Sequence, residues 1–463
     1  MTIQRPRGTR DFLPDDTWRR GQVRKAMKDV LERWGYQEIA TPTFEHLELF
    51  TIKSGESVTE EIYSFKDKGG RDIALRPELT APVMRMYVSE LQNAPKPQRL
   101  YYYGSCFRYE RPQRGRFREF WQLGAELIGG NKPDSEAEVI ALADGMLKSV
   151  GIKADIHIGY LGLIRSMLSK VPQEQRIAIM RMIDKKEREN LQAYLGDIGA
   201  DYLGLVELID LKGRFALDKA LELSRDLENA TDASKLPVEQ ASTVSTTSLG
   251  NDPGILLLDS PPLSGRASAR TCREVAAEYG LEKFQKMVDL LDAYGVDATI
   301  DFEIVRGLEY YSGTVFEIYA SDLGSQKQIC GGGTYELCSL FGGAETSSTG
   351  FGLGFDRIME IVELESKRKV PVVLVFTPDV KQEAIKVAKE LRNAVPLVLD
   401  VMGRGLGAQL KAAAGFGAAH VVIVGRNELD SGKLTLRDMK SGEQESLTLG
   451  EIAEKLAGKY QCT

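Results

Sequence analysis

Between Thr17 and Trp34, the apolar residues Val23, Met27, Val30, Leu31 and Trp34 recur every three or four positions, with lysines and arginines between them. That spacing predicts an amphipathic helix with one face against a core. Gly35 breaks it, and Gly35–Pro42 is expected to enter a strand, with Pro42, which has no N–H, at a strand edge or interface. Asp72–Leu75 is predicted as a short strand, and a helix begins near Thr80 with Pro82 in its first turn. Arg99–Glu110 and Phe117–Ile128 pattern as strands around the turn-forming Arg111–Gly115. A helix is expected over Ser135–Val150, with Ser or Asp as its start signal and Gly151 as its stop.

From Tyr160 to Leu281 charged and apolar residues mix in helical fashion, which suggests an inserted helical module. Within it, Ala230–Gly250 is rich in Ser, Thr and Ala and patterns as a loop. Strands are expected again at Ala298–Val305, Thr314–Tyr319 and Ser348–Leu353, then a helix over Phe355–Glu365 and a charged linker, Ser366–Lys369. Beyond it, the valine- and leucine-rich runs Val372–Phe376, Leu397–Asp400 and Val421–Val424 alternate with helical stretches, Val380–Asn393 and Gly405–Gly415. That rhythm implies a small parallel or mixed sheet covered by helices.

The 463 residues, 43 % hydrophobic and 27 % charged, fit a globular chain of several domains. No apolar run approaches the roughly 18 residues of a membrane span, and the first residues hold no apolar signal core, so the expected location is the cytoplasm. The five cysteines form no C-x-x-C pair and the three histidines stand far apart, so no metal site is expected from protein motifs. The net charge of −7 argues mildly against nucleic acid, but residues 371–463 carry 12 Lys+Arg against 11 Asp+Glu, and local clusters outweigh the total.

Such a cluster lies in Phe107–Gly130, FRYERPQRGRFREFWQLGAELIGG, where arginines 108, 111, 114, 116 and 118 fall within eleven residues. On strands, Arg108 and Glu110 share one face, as do Gln122, Gly124 and Glu126 on the return. Guanidinium groups grip phosphate through paired hydrogen bonds and keep their charge. A bare charge run also fits a solvated hairpin; the polar same-face residues favour a polyanion site. In Ala74–Pro82, ALRPELTAP, Glu78 and Thr80 would point the same way on an extended stretch and suit an ammonium group. A helix cap with a first-turn acid fits those residues equally well. Val305–Tyr319, VRGLEYYSGTVFEIY, places Arg306 before a glycine and the paired Tyr310 and Tyr311. Ile329–Gly343, ICGGGTYELCSLFGG, holds three glycines that admit a ligand to the backbone or simply turn the chain. Ser348–Val362, STGFGLGFDRIMEIV, runs a glycine-alternating strand into a helix with Arg357 near its start, where helix and arginine both favour phosphate. No P-loop is present: Gly432-Lys433-Leu434 lacks the upstream glycine spacing.

These segments resemble, in order, the motifs of class II aminoacyl-tRNA synthetases in their histidyl form. The Arg7–Pro14 segment RGTRDFLP resembles that family's N-terminus, Gly35–Pro42 its motif 1, and Gly407–Leu429 its anticodon-binding domain, so the resemblance covers most of the chain. It implies that Arg108 and Arg306 are the catalytic arginines, acting on the α-phosphate and the carboxylate being activated. It further implies ATP contacts by Glu110, Arg116, Phe120 and Arg357. For histidine it implies Glu78 and Thr80 at the amino group, Gln122 at the amino-acid end, and Glu126 and Tyr311 at the imidazole, with Tyr310 and Tyr335 in the pocket. Gln113 and Arg118 would approach the tRNA acceptor end. The chain departs from the family's usual residues at Leu79, Glu309, Thr334, Glu336 and Asp356.

The fold expected from the resemblance is an α+β catalytic domain with a mainly antiparallel sheet (residues 1–160 and 282–366), a helical insertion (161–281) and a C-terminal α/β anticodon-binding-like domain (371–463). The expected activity is ligation of L-histidine to tRNA(His) through histidyl-adenylate, with ATP and Mg2+ as co-substrate, by a homodimer that does not engage a membrane. The alternative is a histidine-sensing regulatory paralogue without catalysis; it fits less well, because such paralogues usually lack the anticodon domain and degrade the arginine motifs.

Overall fold

The computed structural model describes residues 3–54, 56–109, 117–198, 203–233, 281–305, 311–320, 323, 328–364 and 368–460. The chain divides into two compact units, Met1–Glu363 and Leu364–Thr463.

The first unit opens with helix α1, Pro14–Arg33, three residues before the expected start at Thr17. Pro14 occupies the first helical position, and the Asp16 carboxylate accepts the Leu13 N–H at 3.1 Å. Val23, Met27, Val30 and Leu31 are buried, as the spacing requires. The expected strand after Gly35 shrinks to β1, Gln37–Glu38.

The main sheet adds β2 (Gln98–Phe107), β3 (Glu119–Ile128), β4 (Asp155–Tyr160), β5 (Ala298–Ile300), β6 (Tyr311–Tyr319), β7 (Gln328–Tyr335) and β8 (Ser348–Gly354). Its order is β1-β2-β3-β8-β7-β6-β4-β5. The interior pairings are antiparallel; only the two edges, β1 on β2 and β5 beside β4, are parallel. The α+β class with a mainly antiparallel sheet is therefore what the chain adopts.

Several elements differ from expectation. β5 stops at Ile300 because the Asp301 carboxylate accepts the Glu303 N–H at 2.9 Å and turns the chain. Ile329–Gly333 forms most of β7 rather than a turn: neighbouring Phe316 and the Gly350 carbonyl fill the space that a side chain on Gly332 would need. The helix expected at Ser135, α2, spans Lys132–Lys148; Ser135 is already in its first turn and donates its N–H to the Asn131 carbonyl at 2.8 Å. The last helix of this unit, α3, covers Phe355–Ile361 and ends where Val362 turns extended.

The inserted stretch is helical over Leu161–Met167, Gln173–Asp184, Arg188–Ile198, Leu203–Asp210 and Arg214–Ala233. The last of these includes 230–233, the start of the expected loop; the remainder of that loop, the turn 111–115 and linker residues 366–367 lie outside the described residues. A three-stranded antiparallel sheet (Phe44–His46, Asp72–Leu75, Ser64–Lys66) leads into the site. Arg76 ties it down: its guanidinium donates to the carbonyls of Ser105 and Thr41, both at 2.8 Å, and of Pro42 at 3.1 Å. Pro42 thus serves at a junction through its carbonyl.

The second unit has a five-stranded mixed sheet. Val372–Phe376 pairs in parallel with Leu397–Leu399 on one side and His420–Val424 on the other. Two antiparallel strands that the apolar pattern did not reveal, Leu434–Asp438 and Gln444–Leu447, extend it. Lys381–Leu391, Leu406–Gly415 and Leu449–Tyr460 are the long helices, and buried apolar residues cluster on both sides of the sheet. Among the described residues no helix is long and apolar enough to cross a membrane.

Candidate active site

One cavity of about 440 Å³ opens on the main sheet, lined among others by Glu78, Thr80, Arg108, Phe120, Gln122, Tyr311 and Arg357. Those seven residues were singled out from separate stretches of sequence, and the fold brings them to one place. The register explains how. Gln122, Gly124 and Glu126 alternate onto one face of β3, opposite Gly354, Gly352 and Gly350 of β8. Glycines on the neighbouring strand leave the trough that the side chains of β3 border. From Phe120 to Glu126 the strand runs about 20 Å at ~3.3 Å per residue, the scale of an amino acid joined to a nucleotide.

Glu126, farther along the same face, is completely buried and is not among the residues that line the cavity. Its Oε1 accepts the Tyr102 hydroxyl at 3.3 Å, and its Oε2 accepts the Tyr335 hydroxyl in a short contact. Burial, only partly offset by these donors, pushes its carboxyl up to about 7. Tyr335 is itself buried, with its ring 6.2 Å from that of Tyr311. It therefore braces Glu126 instead of facing the cavity, while Tyr311 lines it.

Glu78 and Thr80 reach the cavity by a different route from strand alternation. Leu79 is in helical conformation and Thr80 begins the helix Thr80–Met86, so the extended geometry is corrected to a helix start. The Glu78 carboxylate accepts the N–H groups of Thr80 at 2.6 Å and Ala81 at 3.1 Å, so it caps the helix and lines the cavity at once. Leu79 is buried among Val83, Tyr102 and Cys106. Gln122 takes the Cys106 thiol as a donor at 3.3 Å, which orients its amide.

Towards the other end lie the cations. Arg108 follows the last residue of β2, donates Nε–H to the Pro77 carbonyl at 3.0 Å, and has its guanidinium 5.1 Å from the Phe120 ring centroid. Arg357, in the first turn of α3, donates to the Gln328 carbonyl. Arg118 lies apart from the cavity lining, its guanidinium 4.1 Å from the Tyr109 ring centroid. Glu110, Gln113, Arg116, Arg306 and Tyr310 lie outside the described residues. Thr334 faces the opposite side of the sheet: its hydroxyl donates to the buried Glu136 carboxylate of α2 at 2.6 Å and pairs with Thr349 at 3.0 Å. Burial holds Glu136 above the usual carboxylate range.

A family model described as histidyl-tRNA synthetase matches residues 8–252 and 262–358, and one described as anticodon binding domain matches residues 369–459. The chain belongs to the histidyl-tRNA synthetase family. Across 462 residues it is 51 % identical to the histidine–tRNA ligase of Methanosarcina acetivorans, covering 99 % of this chain and all of that one. The histidine–tRNA ligase of Archaeoglobus fulgidus is 44 % identical over 96 % of this chain and 97 % of its own. The crystal structure of apo histidyl-tRNA synthetase from S. aureus superposes with a TM-score of 0.65 at 25 % identity, covering 98 % of this chain and 99 % of that one.

In this histidyl-tRNA synthetase family member, sequence reasoning passed over Tyr102, Cys106 and Gln328. Tyr102 carried a signal: it faces Gly124, whose position leaves no room for a side chain beside the tyrosine hydroxyl. Gln328 contributes a backbone carbonyl, which side-chain patterns do not reveal.

Proposed function

We propose that the chain joins L-histidine to tRNA(His) with ATP as the energy source. The observation that carries this reading is the meeting, in one cavity, of Glu78, Thr80, Gln122 and Tyr311 with Arg108, Phe120 and Arg357. We assign an imidazole N–H to the carboxylate of Glu126, which shares a strand face with Gln122, and the other ring nitrogen to the Tyr311 hydroxyl. A side chain lacking those groups leaves buried polar atoms unpaired, which discriminates by roughly 10⁴-fold.

In the first step a histidine carboxylate oxygen attacks the α-phosphorus of ATP, the bond to the bridging oxygen breaks, and pyrophosphate leaves. In the second, a ribose hydroxyl at the tRNA 3′ end attacks the acyl carbon and AMP leaves. Little acid–base chemistry is needed in the first step; positioning and charge stabilisation carry it. We assign Arg108 and Arg306 to the α-phosphate and the reacting carboxylate. Arg116, Arg357 and Glu110 serve the rest of the ATP, which enters as its magnesium complex, and Phe120 stacks on adenine. Glu78 and Thr80 take the ammonium group and Gln122 the amino-acid end, with Tyr310 in the same pocket. Gln113 and Arg118 meet the acceptor end of the tRNA. Residues 1–160 and 282–366 act as the catalytic domain, 161–281 as an insertion, and 371–463 as the anticodon-binding domain, within a cytoplasmic homodimer. The alignment with ligases over nearly the full length supports this assignment.

Amino-acid-dependent ATP–pyrophosphate exchange tests it. Exchange with histidine alone among the twenty amino acids is expected. Exchange with a different amino acid overturns the specificity, and none at all points to a histidine-binding paralogue without catalysis.

A further inference from the structure

Asp356 is 3 % exposed and is met by two guanidinium groups and one backbone N–H from two distant parts of the chain. Arg10 and Arg20 both reach its Oδ1 at 2.7 Å. Its Oδ2 accepts the Trp121 backbone N–H at 2.7 Å. That last bond has a structural reason: the ladder between β3 and β8 runs out at Gln122 opposite Gly354, so the next N–H of β3 needs another acceptor. Asp356, two residues beyond Gly354, supplies it.

The N-terminal segment grips the same strand at a second point. The Arg118 N–H donates to the Gly8 carbonyl at 2.9 Å, and the Arg118 carbonyl in turn accepts the Arg108 N–H at 2.9 Å. Gly8 has φ +85°, and a Cβ on it would fall 2.7 Å from Arg118 Cγ, so the Arg118 side chain packs directly on this glycine. The Arg10 guanidinium lies 3.4 Å from the Phe117 ring centroid, and that of Arg20 lies 4.2 Å from the Phe12 ring centroid. Phe120, Trp121 and Gln122, which line the cavity, therefore hang on a strand entry held from Gly8 at one point and through Asp356 at another. Arg357, adjacent to Asp356, shares the anchor.

We propose that Arg10 and Arg20 are positioning residues for the nucleotide end of the cavity, acting through Asp356 on the strand entry of β3 and on Arg357. Neither touches substrate. Their charges fix a buried carboxylate, which fixes the backbone bearing the adenine platform and the phosphate-facing arginine. The inference rests on the ATP assignment above.

The test uses full-length Arg10→Gln and Asp356→Asn proteins, with folding checked by thermal melting and Arg10→Lys as the conservative control. In histidine-dependent exchange, KM for ATP is expected to rise about tenfold in Arg10→Gln and Asp356→Asn, since small displacements of positioned groups have effects of that order or larger. KM for histidine should stay within about twofold, because Glu126 and Tyr311 are held by other contacts, and Arg10→Lys should recover part of the loss. Unchanged KM for ATP in folded variants, or equal rises in both constants, overturns the proposal. If wild type itself shows no histidine-dependent exchange, the assignment of the reaction fails separately. Calorimetric binding of magnesium–ATP to the same variants then decides the positioning role: about tenfold weaker binding in Arg10→Gln supports it, and equal binding contradicts it.

Discussion

A Cβ on Gly350 would fall 1.5 Å from Oε2 of Glu126 and 2.7 Å from the Ala125 carbonyl oxygen. The carboxylate thus occupies the space that the absent side chain of Gly350 leaves, and with its tyrosine partners it cannot swing aside freely. Gly350→Ala is expected to displace Glu126, lower stability by about 1–3 kcal/mol, and raise KM for histidine about 100-fold while KM for ATP changes little. Steady-state exchange at varied histidine and at varied ATP checks the split.

Glu126 also predicts a pH dependence. Its folded carboxyl titrates near 7, above the ordinary 4.5, so the folded protein holds this proton more tightly than the unfolded chain. The resulting stability is fully present below pH ~4.5 and is lost as pH rises through about 7. Glu126→Gln removes the titration. Its stability relative to wild type should therefore increase between pH 4.5 and 8 by on the order of 3 kcal/mol. Urea denaturation of both proteins across that range measures it; a flat difference contradicts the raised carboxyl.

Arg76 stabilises without touching the cavity. Three carbonyl oxygens from two segments converge on its guanidinium. Charge-assisted bonds of this kind contribute about 1.5–3 kcal/mol each, and the orphaned carbonyls add to the loss. Arg76→Met is expected to destabilise the first unit by at least ~3 kcal/mol in urea denaturation. Residual exchange activity in the folded fraction should keep a KM for histidine near that of wild type.

Arg306→Ala is expected to reduce pyrophosphate exchange by roughly 1000-fold, the scale of removing a charge-stabilising donor, with the melting temperature unchanged. Near-normal exchange in that variant sinks the catalytic role assigned to Arg306.

Much of the site was legible because its chemistry lies in contiguous motifs: the alternation of Gln122, Gly124 and Glu126 predicted a shared face, and the register against β8 bears that out. What escaped was set by tertiary context. Glycines 331–333 carry no strand signal, since their place in β7 is fixed by the Phe316 ring and the Gly350 carbonyl beside Gly332. Glu78 and Thr80 fit an extended segment or a helix start equally well, and only the amides that Glu78 caps decide between them. Asp356 stood out in sequence only as a departure from the commoner glutamate, yet its two arginine partners come from the opposite end of the first unit's sequence. The strands Leu434–Asp438 and Gln444–Leu447 mix charged and polar residues into the ladder and so lack an apolar run.

Aminoacylation tests the ligase activity itself. Purified full-length protein is incubated with magnesium–ATP, labelled L-histidine and total tRNA from an archaeal or bacterial source, and the acylated product is resolved on an acid gel. The expected result is labelled histidine esterified to tRNA(His) alone, dependent on ATP and lost in Arg306→Ala. Absence of histidyl-tRNA from a protein that still binds histidine, or charging of tRNA with a different amino acid, contradicts it.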